Sequence, residues 1–237
     1  MGLWDVLPLV INSSVVWASV SATIGMSSSA WKSSALQDSR RDVCGRVTSS
    51  CHALLVAAAG AVVVWQNRVA SPADLLHEGP EWLPLLVAQS LGYFLYDTIA
   101  TAVNCRELSA KGKLSTSRAV TVAGHHVLAA AGGVAYLHTM RGGAFVGMMC
   151  LSEASTPFLH LRVILRLMKS RPAVAAARAV NAAALVATFV ASRLVGIPYM
   201  FVAFAGERGI TVGQAVASLP RHCVGVAALL WLMNLYW

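Results

Sequence analysis

Long apolar runs, broken by short polar or glycine- and proline-rich stretches, divide the chain into seven windows, roughly residues 3 to 25, 47 to 69, 82 to 103, 119 to 139, 143 to 166, 173 to 200 and 211 to 236. A helix needs about 20 mainly apolar residues to cross a bilayer core, and each window supplies about that many. The pattern predicts an all-α, polytopic membrane protein of about seven transmembrane helices in one domain. The polar segment SSSAWKSSALQDSRRD, residues 27 to 42, reads as an ordinary loop. No internal repeat interrupts the order of spans.

Composition agrees with the pattern. Of 237 residues, 57% are hydrophobic and 12% charged, outside the usual range of soluble domains. A net charge of +8 would suit a nucleic-acid binder, but its distribution gives it another meaning. Lys32, Arg40, Arg41 and Arg46 fall in the first loop, Arg106, Lys111, Lys113 and Arg118 in the third, and Arg166, Lys169 and Arg171 in the fifth. The second, fourth and sixth loops carry Arg68, Arg141 and Arg208. Basic residues concentrated on alternate loops follow the positive-inside rule. They predict an outside N-terminus, an inside C-terminus and no nucleic-acid partner.

The cysteines, Cys44, Cys51, Cys105, Cys150 and Cys223, make no C-x-x-C pair and read as packing residues. The first 30 residues hold neither a basic n-region nor an Arg-rich amphipathic pattern, so no cleaved presequence is expected. Small-residue runs such as AAAGAVVV from Ala57 and AAAGG from Ala129 predict close helix approach. Pro157, Pro198 and Pro220 lie in the later windows. Each is expected to free the carbonyl four residues before it.

Alternating topology converts sequence position into depth, at about 1.5 Å per helical residue. His52, Asp97, the pair His125 and His126, His160 and Asn181 then fall at one level, about 10 Å below the inner surface. Glu153 lies one layer deeper, and Glu153, Thr156 and His160 share a helical face. Titratable groups inside a bilayer are costly, so by default they face the bundle interior, pair with one another or mark a substrate path. Asp97 is expected to be buried and paired with a histidine of the layer. Adjacent helical residues differ by about 100° in direction. One histidine of the pair is therefore expected to face a cavity and the other a neighbouring helix.

Histidines so placed suit general acid/base chemistry, metal ligation or hydrogen bonding of a lipid headgroup. The seven histidines are scattered instead of forming H-x-x-H-H boxes, so no metal is expected. There is no G-x-S-x-G elbow and no G-x-x-x-x-G-K-[ST] phosphate loop. Nor does an inverted repeat point to transport.

SSCHALL around His52, GYFLYDTIATA around Asp97, GHHV, LSEASTPFLHLRVIL around Glu153, SRLVGIPYMF with Arg193 and Pro198, and the terminal NLYW occur in that order. Together they resemble the TRAM-LAG1-CLN8 (TLC) family over about residues 40 to 237, with residues 1 to 39 as an extra N-terminal transmembrane helix and loop. The resemblance implies a helical bundle around an interior lipid cavity. In ceramide synthases, members of that family, the histidine pair serves acyl transfer. By this resemblance His125, His126 and Asp97 are catalytic candidates, with acyl-CoA as a substrate and no bound cofactor. After the pair, however, a synthase has an H-D-x-x-D segment where this chain has AAAGGVAY and then SEAST, so it looks closer to the small TLC-domain proteins.

Two expectations follow. In one, the chain binds or handles a membrane lipid, in lipid homeostasis or as an accessory subunit beside other membrane-protein subunits. His52, Asp97, His125, His126, Glu153, Thr156, His160 and Asn181 would then be lipid-binding. In the other it is an acyltransferase of the ceramide synthase type using His125 and His126. The family implies the endoplasmic reticulum, with a mitochondrial or plastid membrane as the alternative.

Overall fold

The computed structural model describes residues 3–26, 39–70, 79–110, 116–169 and 171–236. Lys32, His77, Lys111, Lys113 and the side chains of Arg68, Cys105, Arg106 and Arg118 lie outside the described residues. So does most of the loop read from residues 27 to 42.

Among the described residues the fold is all helix. In chain order come α1 (Leu3–Met26), α2 (Arg40–Ala70), α3 (Leu83–Ala110) and α4 (Thr116–Thr139). Next is α5 (Gly143–Leu151), which passes through a 3-10 turn (Ser152–Ser155) into α6 (Thr156–Leu167). Then α7 (Pro172–Phe189) passes through a π turn (Val190–Val195) into α8 (Gly196–Glu207). The short α9 (Val212–Ser218) and then α10 (Arg221–Tyr236) follow. Asp5–Met26, Arg40–Gln66 and the continuous Pro172–Glu207 are each long and apolar enough to cross a membrane.

The outward faces are apolar: Val180 is 71% exposed, Trp65 70% and Val127 66%. Polar residues such as Thr48, His52, Ser155 and Arg193 are buried. In water such a surface would aggregate; in lipid it is solvated, which is the arrangement of an integral membrane protein.

The first six windows match helices, and α2 and α3 run further than the apolar pattern. α2 starts at Arg40 because Asp42 sits in its first turn and takes Arg46 at i+4, Nε to Oδ2 2.8 Å. The seventh window is a correction. Residues 211 to 236 do not form one span; they are α9 and α10, separated at Leu219 and Pro220. Leu219 is extended (φ −84, ψ 151), because the residue before a proline is driven out of the helical region. Pro220 therefore precedes α10 instead of interrupting it. α9 opens on a capping box: Thr211 Oγ1 accepts from the Gln214 backbone N–H, and Gln214 Oε1 accepts from the Thr211 N–H at 2.8 Å.

Small residues set the helix spacing. A Cβ added at Gly60 would lie 2.4 Å from the Gly147 carbonyl oxygen of α5, and one at Gly92 2.5 Å from that of Val10 in α1. Both are backbone contacts that no side chain can share. α1 is thereby seated on α3, where Ser13 Oγ also donates to the Gln89 carbonyl at 2.8 Å.

Candidate functional site

A cavity lies between α2, α3, α4, α5, the start of α8 and α10. The α4 face toward it is made of the small residues Ala129, Gly132 and Gly133, opposite Val87, Leu91, Phe145 and Val226. A Cβ at Gly132 would come within 3.3 Å of Val226, and one at Gly133 within 3.2 Å of Val87. The AAAGG run thus lets α3 and α10 close on α4 while leaving a trough. His125 lies at one end of the lining and Thr139 and Arg141 at the other. Fourteen helical residues separate His125 from Thr139, about 21 Å along α4.

The polar end is organised by a helix defect. Pro157 has no N–H to give the Glu153 carbonyl, and that carbonyl instead accepts from the Thr156 N–H, closing the 3-10 turn. The Ser152 carbonyl, which a regular helix would pair with Thr156, is released. Arg193 Nε donates to it at 2.9 Å and to Ser155 Oγ at 2.9 Å. Arg193 Nη2 donates to Thr156 Oγ1 at 2.9 Å and reaches Glu153 Oε1 at 3.3 Å, while Nη1 donates to Asn234 Oδ1 at 3.2 Å. Thr156 Oγ1 in turn donates to Glu153 Oε2 at 2.6 Å. A guanidinium 3% exposed is thus tied by all three nitrogens to α10 and to the turn before α6.

Arg193 occupies the π turn for a related reason. Pro198 cannot donate to the Leu194 carbonyl, which takes Trp231 Nε1–H of α10 at 3.0 Å instead. The widened turn donates from the Gly196 N–H to Ala191.

The two adjacent histidines diverge as the helical geometry requires. His125 lines the cavity, with Nε2 3.6 Å from Glu153 Oε1, an ion-pair distance too long for a good hydrogen bond. His126 turns to α3, where Nε2 lies 3.4 Å from Asp97 Oδ2 and Nδ1 3.1 Å from Thr98 Oγ1. Asp97 is therefore half-buried beside a histidine, and neither it nor His126 is among the cavity-lining residues.

His52 does line the cavity. Its ring stacks on Tyr93 (centroids 3.8 Å apart, planes 11° apart), and Trp17 of α1 meets it edge-on at 5.4 Å. His52 Nε2 is 3.3 Å from Ser90 Oγ.

His160 and Asn181 stand apart from this arrangement. The 3-10 turn rotates His160 away from Glu153 toward α2, where Nε2 contacts Ser49 Oγ at 2.9 Å and Nδ1 lies 3.4 Å from Arg46. The shared face of Glu153, Thr156 and His160 holds only for the first two. Asn181 Nδ2 donates to the Phe158 carbonyl at 2.9 Å and ties α7 to α6. Of the eight residues read as lipid-binding, the cavity lining includes His52, His125 and Glu153, with Thr156 directly behind Glu153.

Residues that the depth argument passed over are Arg193, Asn234, Ser152, Ser155 and Ser90. Arg193 had a signal, since an arginine well inside an apolar window is an intramembrane cation and needs a partner. Among the described residues no group of three or more His, Cys, Asp or Glu is placed to share a metal ion.

A family model described as the TLC domain matches residues 42–237. The match begins in the first turn of α2, so α1 precedes it. No solved structure matches the chain.

Proposed function

The chain belongs to the TLC-domain family of membrane proteins, and from that premise we propose that it binds a membrane lipid in the cavity beside α4. The observation that carries this reading is the distribution of the lining. It is apolar over most of its length, with hydrogen-bonding groups gathered at the His125, Glu153 and Arg193 end, as a site for an amphiphile requires. The hydrocarbon chain would lie along the Ala129, Gly132 and Gly133 trough and the polar end against His125. A role in lipid homeostasis or as a lipid-holding subunit of a membrane assembly fits this occupancy. The family favours the endoplasmic reticulum, with a mitochondrial or plastid membrane as the alternative.

Ala129→Trp tests the reading, because it fills the trough without touching the ion pair. Wild-type protein purified in mild detergent should carry lipid at near-equal molar ratio by native mass spectrometry, and Ala129→Trp should lose it. Equal retention by a folded variant would refute the proposal.

One observation supports a second reading, acyl transfer from acyl-CoA. His125 faces the cavity with the Glu153 carboxylate behind it, the order of a general base and its orienting acid. His125 would take the proton of an attacking hydroxyl or amine as it adds to the acyl carbonyl, and would return it to the CoA thiolate as the tetrahedral adduct collapses and the C–S bond breaks. Such a base typically contributes about 10²- to 10⁴-fold to a rate. Under this reading His125→Ala abolishes one acylated lipid product in cells while the protein still folds and holds lipid. Under the binding reading no product disappears.

A further inference from the structure

The polar end of the cavity is charge-balanced and its cation is already occupied, and we infer that the lipid it accepts presents an uncharged hydroxyl or amide there, not a phosphate, carboxylate or ammonium. The inference rests on the lipid-binding reading above and specifies its ligand.

The argument is an account of donors and acceptors. Among the described residues, Arg193 is the one cationic side chain other than histidine at that end of the lining, and Glu153 the one carboxylate. They stand 3.3 Å apart, so their formal charges cancel. An anionic headgroup would have to recruit Arg193, but four of its five N–H groups already donate, to Ser152, Ser155, Thr156, Glu153 and Asn234, and with Glu153 balancing its charge the N–H left on Nη1 is one more donor for a neutral oxygen, not a free cation. Taking the guanidinium away would cost the Ser152 carbonyl its shortest side-chain donor and leave the Glu153 carboxylate without its cation. A cationic headgroup would compete for Glu153 against Arg193, Thr156 and the nearby His125.

What remains is neutral capacity of both kinds. Ser90 Oγ donates its one proton to the Leu86 carbonyl at 2.9 Å, so toward His52 it can only accept. His52 Nε2 is then the donor, and the neutral ring keeps Nδ1 as an acceptor. Asn234 gives its Oδ1 to Arg193, and its amide N–H groups make no hydrogen bond to the described residues. Both residues line the cavity. A group that donates and accepts once each, such as an alcohol or a secondary amide, matches what is left, and the match costs no existing bond. At the opposite end Arg141 is exposed, so a charged group would find its partner there, about 21 Å away.

The experiment compares three probes of one chain length in detergent micelles on the full chain carrying Arg141→Gln, which removes the cation that could seat an anion in the reverse direction. Tritiated hexadecan-1-ol is competed by unlabelled hexadecan-1-ol, palmitate and hexadecyl phosphate at neutral pH. The inference expects the alcohol to compete at least about tenfold better than either anion, since an unpaired charge pays a desolvation cost that a hydroxyl does not. Ala129→Trp should abolish alcohol binding. An anion that competes as well as the alcohol, or better, overturns the inference and leaves lipid binding intact. Alcohol binding that survives Ala129→Trp also overturns it, by moving the site to the outer surface. If none of the three binds saturably, the lipid-binding reading itself fails.

Discussion

Arg193→Met is the sharpest test of how the interior is held. The substitution keeps an unbranched apolar chain of similar length and removes five donor contacts. Those contacts reach Ser152, Ser155, Thr156, Glu153 and Asn234 at 2.9 to 3.3 Å. It leaves a carboxylate 19% exposed with the Thr156 hydroxyl as its remaining short partner. Removing one member of a buried ion pair typically costs about 3–5 kcal/mol. Each stranded buried acceptor would add about 1–3 kcal/mol if it could not relax, so the lower figure assumes rearrangement around Asn234 and Ser155. For a chain of this size 1 kcal/mol corresponds to roughly 2–4 °C, and the expected fall in unfolding temperature is on the order of 10 °C. Tryptophan fluorescence during heating in detergent reads it directly. The decisive control is the double substitution Arg193→Met with Glu153→Met, which removes both charges. Because a buried pair can be replaced by apolar groups at little cost, the double variant should be at least about 2 kcal/mol more stable than the sum of the singles predicts. A single variant that loses less than about 1 kcal/mol, or a strictly additive double, would refute the view that this pair is dry and mutually dependent.

Two further expectations use the same assay. Gly60→Ala should destabilise by about 1–3 kcal/mol or more, because its Cβ would sit 2.4 Å from the Gly147 oxygen and 2.6 Å from the Leu151 nitrogen; Gly45→Ala, with nothing within 4 Å, should be neutral, and equal effects would disprove the close approach of α2 and α5. Asp97→Ala, which strips His126 of a carboxylate at 3.4 Å, should cost about 1.5–3 kcal/mol; a variant as stable as wild type would mean that Asp97 is hydrated.

Much of this architecture is legible in the chain because lipid imposes simple demands. Apolar length locates helices, and the Ala57 and Ala129 runs mark where backbones approach and where the trough lies. The divergence of His125 and His126 follows from 100° per residue alone. Depth counting carried less. It grouped residues by level but could not assign azimuth, so His160 and Asn181 were placed with His52 and the histidine pair although one faces α2 and the other caps a carbonyl of α6. The missing information is in the helix defects. A 3-10 turn and a π turn each shift the register of every residue beyond them, and uniform 3.6-residue periodicity does not contain them. Pro157 and Pro198 announce that carbonyls will be released; which side chains collect them depends on Arg193 and Trp231, about 40 residues from their partners or on another helix.

Those borrowed donors also give the protein an order of assembly. If the chain is inserted span by span, there is a stage at which α8 is in place and α10 is not. At that point the Leu194 carbonyl lacks the Trp231 indole and Arg193 lacks Asn234, in a medium with no water to stand in. A bundle without α10 therefore holds unpaired polar groups at its own centre until that helix arrives. A ribosome stalled before α10 should leave an intermediate that membrane chaperones and quality-control proteases can recognise. The same bonds that position the site would then distinguish a bundle that α10 has joined from one that it has not.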